Sequence, residues 1–323
     1  MGRISGIKEN ILQTIAERTD FRKDLVEKII RMNDLMYDIF SHPYLKDRVL
    51  LKGGTCLNFC YLDKPRLSVD IDLNYVGAID KETMLKEREE VNRALKIIIR
   101  DQGYKLLREP KKEHAGGKWR LGYKDIYRDN KNLELDINYM FRCPIGDPVE
   151  SKFKVFDEAD EFKIRLVSKE ELFAGKVMAA LDRSLARDLY DLYNITFLAD
   201  YDKNLFRKIV IYLGVALKDD FRRINLNKVL EIDDNDFENS LKPLLREDDS
   251  ITKDIITKRV KPFLKEMLEF LPEEKKYIND FLDEGKFKPE ILFAQYSVMA
   301  DSLRKHPVIL WKHKNLIESL ERQ

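Results

Sequence analysis

Three aspartates lie in the sequence where they could act together on a divalent metal ion. Asp70 and Asp72 are separated by one isoleucine in "LSVDIDLNYV" (67–76), a segment that alternates between apolar and polar residues. Because successive side chains of a strand point to opposite faces, both carboxylates are expected on one face. Asp136 lies in a second alternating segment, "NLELDINYM" (132–140), where Glu134 and Asn138 share its predicted face. Oxygen ligands of this kind suit Mg²⁺, and two such ions can hold both the attacking and the leaving oxygens of a phosphoryl transfer.

A glycine turn precedes the first two aspartates. Gly53, Gly54 and Thr55 follow a predicted strand, "RVLLK" (48–52), and open a short helical run. The free backbone N–H groups of such a turn and the positive end of a helix dipole favour a phosphate. Taken singly, Gly-Gly-Thr is usually a tight turn and Asp-x-Asp a solvated strand face. Their order and combination favour a phosphoryl-transfer site.

Composition narrows the class of protein that could carry such a site. The chain has 323 residues, of which 44% are hydrophobic and 36% charged, so we expect a globular protein of about two domains. The net charge of +1 gives no overall attraction to nucleic acid, and any such binding must come from a local patch. Three cysteines and four histidines show no zinc or disulfide spacing. With no signal peptide and no apolar run of ~20 residues, we expect a cytoplasmic protein without a membrane partner.

Periodicity predicts an α+β fold with two lobes. Helical spacing predicts helices over residues 8–41, and strands mix with helices from about residue 49 to 167. Beyond that point the chain is almost wholly helical, beginning with a capping box of Ser168 and Glu171. We therefore predict N-terminal helices plus a mixed-sheet lobe over residues 1–167, and an α-helical C-terminal lobe over residues 168–323.

The segment from Lys96 to Lys131 is richer in Lys and Arg than in Asp and Glu. Trp119, Tyr123 and Tyr127 are interleaved with these cations. Such a pattern is typical of a local RNA-binding surface in a neutral protein. It is equally typical of a charged strand face whose aromatic residues belong to the core, and both interpretations stay open here.

Taken together, these motifs resemble the nucleotidyltransferase fold of the DNA polymerase beta superfamily, whose pattern is Gly-Gly/Ser, then Asp-x-Asp, then a third Asp on a later strand. The chain is more closely similar to the AbiEii/MenT-type nucleotidyltransferase toxins of bacteria and archaea. The similar segments are "LKGGTCLNFCY", "RLSVDIDL", "KWRLGY", "LELDINYM", "EELFAGKVMAAL", "ARDLYDLY" and "HPVILWKHKNL". They cover about residues 49–198 and the C-terminus, whereas residues 200–290 carry no recognisable motif.

The resemblance implies a two-metal site. Asp70 and Asp72 would ligate Mg²⁺, or alternatively Mn²⁺, between the phosphates of an NTP and the acceptor. Asp136 would hold the second metal ion or orient the attacking hydroxyl. Gly53 and Gly54 would contact the triphosphate.

Three residues next to these motifs are implied in nucleotide binding as well. Thr55 would contact the triphosphate. Arg66 would reach a phosphate, although a surface turn explains it nearly as well. Ser68, two residues before Asp70, is expected on the side of the metals, where a phosphoryl group would repel the triphosphate; alternatively it only bonds a neighbouring backbone group.

The helical motifs supply the remaining implied site residues. Lys176 would neutralise phosphate charge from a helix that faces the cleft between the lobes, unless it is simply a solvated helix position. Asp188 and Asp191, one turn apart, would occupy the last acidic motif of the family. Alternatively, one of the two aspartates pairs with Arg183 or Arg187.

The function implied by the resemblance is Mg²⁺-dependent transfer of a nucleoside monophosphate from an NTP, with release of pyrophosphate. The implied acceptor is the 3′ end of tRNA, which makes the protein a translation-blocking toxin of a toxin–antitoxin or phage-defence pair with a cognate antitoxin. A protein side chain or a small molecule is the alternative acceptor. A non-catalytic nucleotide-binding module is a third possibility, against which the intact set of three aspartates argues. The sequence does not indicate the oligomeric state.

Overall fold

The computed structural model describes residues 8–110, 115–296, 299 and 302–321. The chain divides into two compact units, which we call the α/β unit and the helical unit. The α/β unit runs to Arg142 and adds Pro148–Val167 and Lys242–Asp249. The helical unit comprises Cys143–Asp147, Ser168–Leu241 and the chain from Ser250 onward. This division differs from the predicted boundary after residue 167 in two segments, 143–147 and 242–249.

The α/β unit is built on a mixed sheet, and the predicted α+β class is confirmed. In the described residues its α-helices and strands are α1 (Glu9–Thr19), α2 (Lys23–Ser41), β1 (Val49–Lys52), α3 (Gly53–Cys56), β2 (Asp70–Tyr75), α4 (Lys81–Asp101), β3 (Lys105–Arg108), β4 (Gly116–Lys124), β5 (Asn130–Asn138), β6 (Val149–Phe153) and β7 (Phe162–Leu166). The seven strands lie in the order β3-β4-β5-β2-β1-β7-β6. β2 pairs parallel with β5, and β1 pairs parallel with β7, while the other neighbours are antiparallel.

Alternation along the central strands separates the core from the site. The apolar residues of β2 and β5 are buried, as the pattern predicted: Ile71, Leu73, Leu133, Leu135 and Ile137. Burying a Leu or Ile side chain stabilises a fold by about 1.5–3 kcal/mol, so these positions fix which face of each strand points inward. The acidic residues between them are therefore held on the opposite face.

The helical unit consists of α5 (Lys169–Arg183), α6 (Ala186–Ile195), α7 (Lys203–Gly214), α8 (Leu226–Val229), α9 (Asp234–Asp236), α10 (Lys253–Leu268), α11 (Pro272–Leu282) and α12 (Pro307–Leu320). Along the described residues, no helix combines the length and apolarity that crossing a membrane requires.

The start of α5 shows why a short upstream segment belongs to this unit. Ser168 caps the helix as predicted, since its Oγ accepts a hydrogen bond from the Glu171 N–H at 3.3 Å. The Glu171 carboxylate, however, accepts from the backbone N–H groups of Ile145 at 2.8 Å and Gly146 at 3.4 Å. The expected capping box is thus half formed, because Glu171 binds segment 143–147 to the helix.

Candidate functional site

The predicted aspartates lie side by side on the sheet. In the parallel pairing of β2 with β5, Asp72 is opposite Asp136, and Asp70 is opposite Glu134. Side chains at paired positions share a face, and i and i+2 of one strand do too, so all these carboxylates project from one face. Each is half-buried. The pairing converts two sequence motifs that lie far apart along the chain into one acidic cluster.

Asp136 has a pKa above its ordinary value. Burial raises the pKa of Asp136, and the charges of Asp72 and Glu134 raise it further, against the opposing effects of Lys52 and Lys118. Like charges on neighbouring strands disfavour the ionised form. A cation bound at this face would relieve that repulsion.

Two lysines complete the row that contains Asp72 and Asp136. Lys52 of β1 is paired with Asp72, and Lys118 of β4 is paired with Asp136. The order across four adjacent strands is therefore Lys52, Asp72, Asp136, Lys118. The row places a positive charge at each end of the acidic pair, as an anionic substrate would require.

Glu134 joins this row to a neighbouring row, in which Asp70, Glu134 and Arg120 are paired across β2, β5 and β4. It accepts hydrogen bonds from Lys118 Nζ at 3.1 Å and from Arg120 Nη2 at 2.8 Å. Burial raises the pKa of Glu134, but the bonds to Arg120 and Lys118 outweigh that effect, and the net shift is downward. Lys28 of α2 adds a further positive charge near Asp70 and Glu134, although burial lowers the pKa of Lys28.

The glycine turn lies directly against the acidic cluster. Gly53 has a φ of 71°, in the left-handed region, and a Cβ at this position would overlap the Asp72 carboxylate. A Cβ on Gly54 would lie 2.8 Å from Ser68 Oγ and 2.9 Å from Arg66 Nη2. Only glycine brings the backbone this close to the carboxylate and to the guanidinium without strain.

Thr55, Ser68 and Arg66 are buried beneath this turn. The Thr55 hydroxyl donates to the Asp70 carbonyl at 2.5 Å and lies 3.0 Å from Ser68 Oγ. It thereby fixes the backbone at the first residue of β2. Arg66 donates from Nη1 to the Leu67 carbonyl at 2.9 Å and is 4% exposed, so it is a buried cation beside Gly54 and not part of a surface turn.

A second cluster lies in the helical unit. Lys176 Nζ of α5 is 2.6 Å from Asp191 Oδ2 of α6, and both side chains are buried. Lys176 is therefore not a solvated helix position. Asp188 accepts from Arg183 Nη2 at 2.9 Å, as one of the alternatives held. Burial raises the pKa of Asp188, and Asp191 adds to this effect while Lys176 and Arg183 oppose it.

Each unit thus gathers its own share of the predicted site residues. Those in the α/β unit are Gly53, Gly54, Thr55, Arg66, Ser68, Asp70, Asp72 and Asp136, and those in the helical unit are Lys176, Asp188 and Asp191. The catalytic, nucleotide-binding and metal-binding roles assigned to them stay predictions.

The acidic cluster suits a divalent metal ion in its chemistry. Asp70, Asp72 and Asp136 supply hard oxygen donors on one face, and Gly53 leaves room at the Asp72 carboxylate that a Cβ would fill. Among the described residues, no group of three His, Cys, Asp or Glu side chains is already arranged as a metal site. The residues fit the ion by ligand type and by shared face.

Sequence reasoning noted a basic segment that contains Lys118 and Arg120 but did not place these cations beside the acidic cluster, and it did not single out Lys52. Lys118 and Arg120 alternate with the buried Trp119 and Leu121 along β4, and this alternation was the available signal. The strand partner that brings Lys118 beside Asp136 cannot be read from the pattern. The same holds for Lys52.

The aromatic residues of segment 96–131 do not share the face of these cations. Trp119 is 1% exposed in the core, and the Tyr123 ring lies under the Arg31 guanidinium at 4.5 Å. Tyr127 is 54% exposed, but its hydroxyl donates to Glu9 at 2.6 Å. Trp119 and Tyr123 therefore lie on the opposite face of β4 from its cations, and the aromatic residues do not form a surface with them; residues 111–114 of the segment lie outside the described residues.

Comparison with known proteins gives a family and a related structure. A family model described as nucleotidyl transferase AbiEii toxin, type IV toxin–antitoxin system, matches residues 34–284. The match includes most of the region after residue 200, where no motif had been recognised. The solved structure of MenT4, a nucleotidyltransferase toxin from Mycobacterium tuberculosis H37Rv, is similar with a TM-score of 0.64 and 17% identity. That likeness covers 93% of this chain and 99% of the MenT4 chain and shows a shared fold. Comparison with curated proteins gives no match.

Proposed function

This chain belongs to the AbiEii nucleotidyltransferase toxin family, and from that premise we propose that it transfers a nucleoside monophosphate from an NTP to RNA and releases pyrophosphate. It is a nucleotidyltransferase toxin of a type IV toxin–antitoxin family, which implies an NTP substrate and an antitoxin partner. The acceptor we propose is the 3′ end of tRNA in the cytoplasm. A nucleotide added there would prevent aminoacylation and so block translation, for growth control or phage defence.

One observation carries the proposal: Asp72 and Asp136 are in register on adjacent strands, with Asp70 on the same face and the Gly53 backbone against Asp72. This arrangement brings oxygen ligands and a phosphate-accepting turn to one place. A solvated strand face would not require glycine at position 53.

Asp70, Asp72 and Asp136 would hold Mg²⁺, for which Mn²⁺ is the alternative. When bound, the ions would offset the charge of the triphosphate and of the attacking and leaving oxygens. The carboxylates set where the α-phosphate must lie. The opposite, apolar face of β2 and β5 is buried in the core, so that the ligands stand on rigid elements.

The remaining groups of the α/β unit would position the reactants. The backbone N–H groups of the turn at Gly53 and Gly54 would bind phosphate oxygens, with the Arg66 guanidinium beside Gly54 adding positive charge. The acceptor hydroxyl oxygen forms a bond to the α-phosphorus as the bond from that phosphorus to the pyrophosphate oxygen breaks. Asp136 would orient the hydroxyl and accept its proton.

The cluster of the helical unit would contribute the positive charge of Lys176. Lys176 would neutralise phosphate charge as the pyrophosphate leaves. Asp191 holds the Lys176 ammonium at 2.6 Å and so fixes its direction. Asp188, held by Arg183, is placed one helical turn before Asp191 and completes the acidic motif.

The experiment incubates the purified protein with each labelled NTP in turn, Mg²⁺ and total cellular RNA. We expect one NTP to label RNA of tRNA size, and Asp72→Asn to label none. Glu161→Gln, which removes an exposed carboxylate immediately before β7, is the matched control and should label RNA normally. Label in protein, or in no acceptor at all, would overturn the proposed RNA acceptor.

A further inference from the structure

The outer strands of the sheet carry a row of exposed cations on the face of the acidic cluster. We call Lys105 and Arg108 of β3 with Lys118, Arg120 and Lys124 of β4 the basic face. Every one of these side chains is exposed. Among the described residues of these two strands, no Asp or Glu is interspersed.

Strand pairing puts these cations on one side. Arg108 is opposite Arg120, and Lys105 is opposite Gly122, two residues from both Arg120 and Lys124. A register shift between Leu106 and Arg108 keeps Arg108 on that side. The residues between the β4 cations, Trp119 and Leu121, are buried on the opposite face.

The basic face is continuous with the acidic cluster. Lys118 is opposite Asp136, which is opposite Asp72, so the cations run from the sheet edge to the aspartates without an intervening strand. Neighbouring strands are about 4.8 Å apart, which makes the path from β3 to β5 about 10 Å long. Neutral side chains at Asn130 and Asn132 extend the same face of β5 opposite Lys124 and Gly122.

Glu134 is the counterion of this face. It engages both Lys118 and Arg120, whose side chains nevertheless remain 50% and 48% exposed. It therefore holds the two cations in fixed positions while it cancels part of their charge. Removing the Glu134 charge would leave both cations available to an anion.

We propose that the basic face guides the phosphate backbone of the acceptor RNA toward the aspartates, and that Glu134 limits its affinity by engaging Lys118 and Arg120. The inference rests on the proposed function, because it takes RNA as the acceptor. Exposed cations on a rigid strand pair suit the phosphates of a nucleic acid. The apolar side chain of Leu107, which lies over Gly122, offers a surface that bases can contact. A protein partner would instead favour a core depleted in charge.

The test measures the binding of a fluorescently labelled single-stranded RNA that ends in a 3′ hydroxyl, by anisotropy in EDTA without NTP, at several salt concentrations. Binding in EDTA isolates the basic face from metal binding and from chemistry. The double variant K118A/R120A should weaken binding by about tenfold or more. It should also reduce the slope of log Kd against log salt concentration by about 1.4, or ~0.7 for each lost phosphate contact.

Glu134→Gln is the decisive variant, because it should tighten RNA binding by about fivefold. A merely structural role of the Glu134 ion pairs would instead weaken binding or leave it unchanged. The conservative variant K118R/R120K should bind like wild type. The matched controls are Lys152→Ala and Glu161→Gln, an exposed ion pair 2.9 Å apart at the opposite edge of the same sheet, and neither should change binding.

Equal losses for K118A/R120A and Lys152→Ala would overturn the inference, as would weaker binding by Glu134→Gln. If the wild-type protein labels RNA in the transfer assay but K118A/R120A binds RNA as wild type does, the role of the basic face is refuted and the proposed function stands. Failure to label any RNA would refute the proposed function itself.

Discussion

The two clusters of site residues use the same residue types in opposite ways. In the α/β unit, Asp72 and Asp136 are half-buried and adjacent, and the lysines at each end of their row serve several carboxylates at once. In the helical unit, Lys176 and Asp191 form a direct ion pair at 2.6 Å with side chains 10% and 1% exposed. In the first arrangement like charges lie next to one another, whereas in the second each charge has an opposite partner within the helical unit. Mutations should therefore separate activity from stability in the first cluster and affect both in the second.

The largest effect is expected at the acidic cluster. Asp70→Asn or Asp72→Asn should lower nucleotidyl transfer by about 10³-fold or more, the equivalent of ~4 kcal/mol of transition-state stabilisation, because a metal ligand is lost. The thermal midpoint should stay at the wild-type value, since these side chains do not face the core. Transfer assays and thermal melts measure the two quantities, and wild-type toxicity on expression should disappear with either variant. Near-normal transfer by Asp70→Asn would show that the two-metal assignment is wrong.

Asp191→Asn should instead affect stability. Removing one partner of a buried ion pair leaves the other charge uncompensated, which costs about 3–5 kcal/mol. Denaturant titration should show this loss in the free energy of unfolding. The double variant K176M/D191L should recover much of the stability but none of the transfer activity. If Asp191→Asn is as stable as wild type, the contrast between the two clusters fails.

Gly53→Ala should combine the two effects, a loss of transfer activity and a loss of stability. The left-handed φ of 71° costs a non-glycine residue about 1–3 kcal/mol, and the new methyl group would displace the Asp72 carboxylate. Unfolding free energy and transfer should therefore both fall.

The matched control is Gly175→Ala in α5, where an added Cβ meets no atom within 4 Å. It should stabilise the helix by about 0.5–1 kcal/mol. Full activity in Gly53→Ala would remove the argument that the turn needs close approach to Asp72.

The smallest effect is expected at Thr55. Thr55→Val keeps the shape but removes the hydroxyl that donates to the Asp70 carbonyl, so the unfolding free energy should drop by about 1 kcal/mol. Transfer should fall only modestly, and Thr55→Ser should retain it. A loss as severe as that of Asp70→Asn would indicate that the hydroxyl contacts the triphosphate directly, as the family resemblance implies.

Several features of the site followed from local sequence. The alternation in "LSVDIDLNYV" and "NLELDINYM" correctly separated buried apolar positions from the acidic face, because a strand has a period of two whatever its partners are. The Ser168 cap followed from a side chain that bonds its own helix. The order of Gly-Gly, Asp-x-Asp and a later Asp also predicted the family, and periodicity along the chain predicted the α+β class; both are now shown.

Tertiary structure alone decided which residues stand next to one another. The pairing of Asp72 with Asp136 joins strands about sixty residues apart, and a period of two sets the face of each strand without choosing its neighbour or its register. The same pairing recruited Lys52, Lys118 and Glu134, which carry no motif of their own. The burial of Arg66 and the formation of the Lys176–Asp191 ion pair also depend on residues from other segments of the chain. Solvent is excluded from these side chains by the assembled fold, which no local sequence pattern specifies.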